Sequence, residues 1–272
     1  MNQQIFSIDF QNDFTDPNGA LYVKGAEEDA KRMAKFIRKM GDSIDDITLT
    51  LDCHRTISIF HPIWWVDEKG NNVPPFTMIT EADVVGRNPK WKAKNPSWQH
   101  RSVDYVKALA IKNAPALIIW PFHCLLGSWG NGVYPELLTA VSEWETKYFG
   151  MADFTIKGSN PFCESYGIFE SEVPDADDTT TQLNTGLVQK LQKADTIFIN
   201  GEALSHCVST SVRQCAREFG DEHVKKFVLL EDASSPVVSP DPALTDIFSN
   251  MADSFVKELV AKGMRIAKTT DF

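Results

Sequence analysis

Strand-like and helix-like runs alternate along this 272-residue chain from end to end. Short apolar runs with β-branched residues read as strands at 4–9, Asp46–Asp52, 116–120, Asp153–Lys157, 196–200 and 226–230. Helical spacing marks Ala26–Met40, where Met33, Phe36, Ile37 and Met40 recur on one face. Further helices are predicted over Pro135–Tyr148, opened by a proline in its first turn, over 182–193, after Cys207, and over 242–262, with a last edge strand near Arg265–Ala267. Such alternation predicts an α/β protein of three layers, α/β/α, with a mostly parallel central sheet in a Rossmann-like arrangement.

The length suits one large α/β domain or two small ones, and the unbroken rhythm favours one domain over 1–272. One stretch departs from it. Residues 62–101 are rich in Pro, Asn and Trp (Trp64, Trp65, Trp91, Trp98), with Gly70-Asn-Asn and Pro74-Pro75 as turn signals. An insertion of this kind is expected to serve as a lid over a pocket or as a contact surface, and its apolar content suggests a homo-oligomer.

Basic residues number 27 against 37 acidic ones, a net charge of −10, and no block of Lys and Arg stands out. Nucleic-acid and anionic-membrane partners are therefore not expected. The longest apolar stretch, 116–126, is interrupted by Pro121 and His123 and is far too short to span a bilayer. The five cysteines (Cys53, Cys124, Cys163, Cys207, Cys215) lack zinc-ribbon spacing, and Asp9 interrupts the first apolar run, so neither a disulfide framework nor a signal peptide is expected. The chain reads as cytoplasmic.

Ligands of open parallel sheets bind beyond the carboxyl ends of the strands. Asp9, Asp52, Lys157 and the turn Gly201–Cys207 all stand at such ends, and His123 lies just past the 116–120 run. Alone, each reads as a cap or turn residue, as Asp232 does after 226–230. Five together point to a site. Asp52-Cys-His54 has the i, i+2 spacing of a metal pair, with His123 as the third ligand and His61 as its competitor. An Asp/His/His set suits zinc, manganese or iron alike.

Cys207 lies where a strand gives way to a helix, and unpaired N–H groups there favour a thiolate. With Asp9 as base and Lys157 as the stabilising cation it forms the set that cysteine attack on a carbonyl needs. The bland alternative for Asp9 and Lys157 is a buried ion pair. His206 is rejected as the base, because neighbours at a helix start diverge by about 100°.

These residues resemble the nicotinamidase and isochorismatase-like cysteine hydrolase family. Asp9-Phe-Gln-Asn-Asp13-Phe14 with Gly19-Ala-Leu-Tyr-Val-Lys-Gly25-Ala looks like its opening motif, and Asp52-Cys-His54 like its metal motif. Trp120-Pro-Phe-His123-Cys124, Ile156-Lys157-Gly158 with Glu164-Ser-Tyr-Gly-Ile-Phe169, and Gly201-Glu-Ala-Leu-Ser-His-Cys207-Val follow in family order. The resemblance implies an isochorismatase-like fold, a catalytic set Asp9, Lys157 and Cys207, and a divalent metal on Asp52, His54 and His123. It also implies a cis peptide at Glu202–Ala203, an oxyanion hole from the N–H groups of Ala203 and Cys207, and a pocket bearing Phe14, Trp120 and Glu202. The implied activity is hydrolysis of a small carboxamide, nicotinamide first, in pyridine nucleotide salvage. Arg55 stands where relatives carry Pro, and Glu202 where an apolar residue is usual. A sibling amidase on another amide or ureido compound, and a non-catalytic binding relative, are the alternatives.

Overall fold

The computed structural model describes residues 1–112 and 114–272. In chain order its elements are β1 (Gln3–Ile8), α1 (Asn12–Thr15), α2 (Ala26–Met40), β2 (Asp46–Asp52), β3 (Trp65–Val66), β4 (Met78–Ile79), α3 (Glu81–Val84), β5 (Lys92–Ala93), α4 (Gln99–Ile111), β6 (Leu117–Ile118), α5 (Pro135–Tyr148), β7 (Asp153–Lys157), α6 (Thr185–Gln192), β8 (Thr196–Gly201), α7 (Ser209–Phe219), β9 (Phe227–Leu230), α8 (Pro242–Ala261) and β10 (Arg265–Ala267). Six strands form one parallel sheet in the order β10-β9-β8-β1-β2-β7.

Alternate side chains of each strand feed opposite faces, which is why the strands read as continuous apolar runs. Ile5, Ile47, Phe198 and Val228 pack with α2 and α5 through Met33, Ile37, Leu137 and Trp144. Phe6, Ile199, Phe227 and Leu229 pack with α6, α7 and α8 through Leu191, Val212 and Phe255. The result is the expected three-layer α/β/α arrangement. In α2, Glu27, Glu28 and Asp29 in the first turn and Arg38 and Lys39 in the last complement the helix dipole.

The 116–120 run does not join this sheet. Its two paired residues, Leu117 and Ile118, run antiparallel to Met78 and Ile79, outside the six strands. Consecutive residues 117–120 are all buried in a third apolar core, so the run is covered all round without a place in the main sheet. The reactive side chains at the sheet edge therefore come from four strands and one loop-borne segment.

The third core is built by the insertion and by α4, a helix that the sequence reading does not contain. Its apolar stripe is interrupted by Ser102, and no side chain caps its N-terminus. Trp64, Trp65 and Trp91 are buried there with Tyr105 and Trp120, and Trp98 stacks on Trp64 at 4.6 Å. Three of these indoles thus form an interior, and the apolar surface they offered for self-association is consumed within the fold. Among the described residues, no helix is long and apolar enough to cross a membrane. Asp232 accepts from Thr269 N and Oγ1 at 2.8 Å each, a tie to the chain after β10 rather than a local turn bond.

Candidate active site

β1 and β2 are neighbours, as are β2 and β7, and Asp52 stands in register with Lys157. Asp9 follows β1 in the left-handed region at φ 51°, with its N–H bonded to Thr50 O at 3.2 Å. β8 flanks β1 on the other side and leads into the nucleophile turn. Parallel register therefore delivers the four side chains to one place.

Lys157 is the hub. Its Nζ lies 3.0 Å from Asp9 Oδ2 and 2.7 Å from Asp52 Oδ1. It also donates to Ser165 O at 2.9 Å and to Cys207 Sγ at 3.5 Å. Asp9 is fully buried, and Thr50 Oγ1 donates to its Oδ1 at 2.5 Å. Burial pushes the Asp9 carboxyl above its usual range against the pull of Lys157, and the Asp52 charge adds to the rise. Burial alone would weaken the Lys157 ammonium, but Asp52 and Asp9 hold it well above the ordinary lysine value.

The helix start by itself favours a thiolate, and burial works against that. Burial raises the Cys207 thiol well above its ordinary value, Lys157 opposes that rise, and the Asp9 and Asp52 charges reinforce it. Cys207 also sits inside a turn of π-helix over Leu204–Val208, one turn before α7 begins, so the helix-terminus argument does not apply in its simple form. Both shifts favour a thiol at Cys207 beside a carboxylate made more basic by burial.

On the other side of Asp52 lie the two imidazoles. His54 Nε2 is 3.1 Å and His123 Nε2 4.0 Å from Asp52 Oδ2. Each Nδ1 meets a backbone carbonyl, Gly158 O at 3.0 Å for His54 and Pro121 O at 2.7 Å for His123. A carbonyl only accepts, so both Nδ1 atoms carry hydrogen and both Nε2 lone pairs face the carboxylate, as metal-ligating histidines do. One donor atom from each of Asp52, His54 and His123 lies within 4.8 Å of the others, which fits a divalent cation. His61 lies outside that set but packs against it, its ring centroid 5.9 Å from that of His54 and 5.8 Å from that of His123. Its Nδ1 meets Thr56 O, and its buried Nε2 has no partner among the described residues. Gly158 permits the packing, since a Cβ on it would lie 2.5 Å from His54 Cε1.

Three polar residues that the sequence reading left without a role organise this half. Gln11 Nε2 donates to Asp52 O at 2.7 Å while its Oε1 accepts from Asp52 N at 2.6 Å. Asn131 Nδ2 donates to the same Asp52 O at 2.8 Å. Asp13 accepts from Cys124 N at 2.6 Å and Ala20 N at 3.0 Å, tying the opening motif to the His123 segment. Gln11 and Asp13 were visible as parts of the opening motif; Asn131 carried no signal.

A small cavity of about 30 Å³ joins the two halves, room for about one water molecule. Phe14, Trp120, Asp52, His123, Ala203 and Cys207 line it as expected, and Leu21, Glu164, Tyr166, His206 and Val237 were not foreseen. Glu202 does not line it. Its fully buried carboxyl turns away to accept from Ser235 N at 3.2 Å, on the side of Asp29. The Glu202–Ala203 peptide is cis, as the resemblance implies. A larger groove of about 630 Å³ between α2 and α5 holds no convergent nucleophile or metal-ligand set.

No protein-family model matches the chain. Over 237 residues it is 25% identical to a Saccharomyces cerevisiae protein named nicotinamidase, covering 86% of this chain and 88% of that one. Among solved structures, the yeast nicotinamidase Pnc1p superposes with a TM-score of 0.64 at 19% identity, covering 97% of this chain and 99% of that one. The chain is similar to a nicotinamidase in sequence and to several in fold. A nicotinamidase/pyrazinamidase of Acinetobacter baumannii gives 0.63 at 19% identity over 99% and 97% of the two chains. A pyrazinamidase of Pyrococcus horikoshii solved in complex with zinc gives 0.54 at 16% identity over 98% and 99%. The nicotinamidase fold is thus matched along nearly the whole chain, insertion included.

Proposed function

We propose that this protein is a metal-dependent cysteine amidohydrolase that converts nicotinamide to nicotinate and ammonia through a thioester on Cys207. The observation that carries this reading is the position of Lys157 Nζ, within 3.5 Å of Asp9, Asp52 and the Cys207 sulfur at once. A lysine shared by a base, a metal-side carboxylate and a thiol has little purpose in stability, because desolvating such a group offsets most of its attraction.

In this reading Asp9, made more basic by burial, takes the Cys207 proton. The thiolate attacks the carboxamide carbon while Lys157 balances the negative charge. The carbonyl oxygen moves toward the N–H groups of Ala203 and Cys207. The neighbouring N–H groups of Glu202, Leu204 and His206 are committed to Ile8 O, Ser235 O and Ala203 O, which supports that assignment. Asp9 returns its proton to the departing nitrogen, releasing ammonia. It then takes a proton from the water that attacks the thioester and returns it to sulfur, freeing the acid.

Asp52, His54 and His123 would hold the metal, with zinc supported by the Pyrococcus complex and manganese or iron suited to the same donors. When bound, such an ion supplies a fixed positive charge and a Lewis-acid contact at the cavity wall. Phe14 and Trp120 would flank the ring. A pyridine carboxamide exceeds the present 30 Å³, so its entry moves wall residues such as Phe14, Leu21 and Val237. A single domain over 1–272, a cytoplasmic setting for the five unpaired thiols, and a small molecule rather than nucleic acid or membrane as partner belong to the same reading. A homo-oligomer would have to be built on surfaces other than the buried indoles.

The test is ammonia release from nicotinamide and related small amides by the wild type, by Cys207→Ala and after chelation. Release by the wild type alone, lost on chelation and recovered with zinc, is expected. No release and no trapped thioester across the panel would sink the proposal.

A further inference from the structure

Glu202 is a buried acid with no part in the mechanism above. It is fully buried, its N–H bonds Ile8 O at 2.8 Å, and its Oε2 accepts from Ser235 N at 3.2 Å. Its Oε1 is buried without a donor to receive. The charged groups acting on it come from α2: Asp29, itself buried and tied to the same Ser235, and behind that Arg32, whose Nη2 reaches Asp29 Oδ1 at 2.5 Å. The loop after β9 contributes uncharged groups, Ser235 Oγ donating to Asp29 Oδ2 at 2.6 Å and Ser234 Oγ to Gly201 O at 2.6 Å. Leu204 N then donates to Ser235 O at 2.8 Å. The turn 201–204, the loop 234–235 and α2 are thus joined around two adjacent carboxyls.

Two buried carboxylates in contact repel, whereas one proton between them makes a strong hydrogen bond. A proton on Glu202 also gives the orphaned Oε1 a role. We propose that Glu202 is a positioning residue: protonated, it donates to the Asp29 carboxylate and so holds the turn that presents Ala203 N–H to the substrate oxygen. Burial and the Asp29 charge both raise its carboxyl well above the usual range, the direction that favours the protonated form. Ionisation at alkaline pH would set two like charges against each other one residue from the oxyanion hole. The inference rests on the amidase reading for what Ala203 does, but the proton on Glu202 can be observed without it.

The test is nicotinamide turnover from neutral to alkaline pH by wild type, Glu202→Gln and Glu202→Leu, with thermal denaturation of each. Glu202→Gln, which keeps a donor and cannot ionise, is expected to retain neutral kcat and to lack an alkaline loss seen in the wild type. Glu202→Leu is expected to lower kcat by about 10- to 100-fold with KM little changed, the effect of a displaced catalytic group. An unaltered alkaline limb in Glu202→Gln, or wild-type kcat and pH profile in Glu202→Leu, would overturn the proposal. Should the wild type release no ammonia, the amidase reading fails by itself. Infrared spectroscopy then decides the rest: a protonated-carboxyl band lost in Glu202→Gln supports the shared proton, and a wild type without that band refutes it.

Discussion

The strand-borne and loop-borne halves of the site are held by different forces. Asp9, Asp52 and Lys157 end neighbouring parallel strands, and ladder register brings them together with the turn after β8. Backbone hydrogen bonds fix that half, and many apolar strand sequences would build it. His123 and Trp120 instead ride on a segment between the insertion core and the opening motif. A few backbone bonds hold it there, His54 N to Cys124 O and Leu126 N to His54 O at 3.0 Å each, and side chains complete the hold, Asp13 accepting from Cys124 N and Gln11 donating to Asn131 O. The first half is robust in position and vulnerable only in its chemistry. The second depends on side chains that never touch substrate.

The largest expected effect falls on the strand-borne half. Cys207→Ala should lower kcat by at least about 10³-fold, as loss of a nucleophile does, while the denaturation midpoint and zinc content stay near wild type. Loss of fold in that variant would show that sulfur holds the turn rather than reacting from it.

Trp64→Ala sharpens the contrast from the other side. It removes a buried indole that stacks on Trp98 and donates to Ser102 Oγ at 3.0 Å. A cost of about 3–5 kcal/mol in denaturant unfolding is expected, with Cys207 still reacting at the wild-type rate with a small thiol reagent.

Asp13→Asn is the next smaller effect. It weakens the charge-assisted acceptor of Cys124 N and should lower zinc affinity by about 10- to 100-fold in chelator competition, leaving the sheet intact. An unchanged affinity would mean that the loop-borne half positions itself without Asp13.

The smallest effect is a pH dependence of stability beside α4. Burial raises the Glu172 carboxyl to about 7, against the pull of Lys112. Below the unfolded value, about 4.5, both states are protonated. As pH climbs from there toward 7 the unfolded chain ionises first, so folding loses stability through that window and levels off above it. Glu172→Gln should flatten that decline in melting temperature between acid and neutral pH. An identical slope in the variant would remove Glu172 from the account.

Much of this was legible before any coordinates. Helices α2 and α5 and strands β2, β7 and β10 fall on the stretches read from periodicity, because each has a well-patterned stripe or an apolar run with clear ends. All the proposed nucleophile and metal residues lie within one connected cluster, since strand ends in a parallel sheet must share an edge. Helix α4 escaped, with its stripe interrupted at Ser102. So did the pairing of β6, because a short apolar run does not say which partner covers it.

By itself, the order of residues determined the layers, the strand ends and the kinds of chemistry available there, for these follow from local periodicity and from rules of strand connection. Only the tertiary structure decided the burial of Cys207, the exclusion of Glu202 from the cavity, the closeness of His123 to Asp52 and His54, and the burial of the insertion's indoles. Each of those depends on separate stretches of chain packing together, which no local pattern encodes.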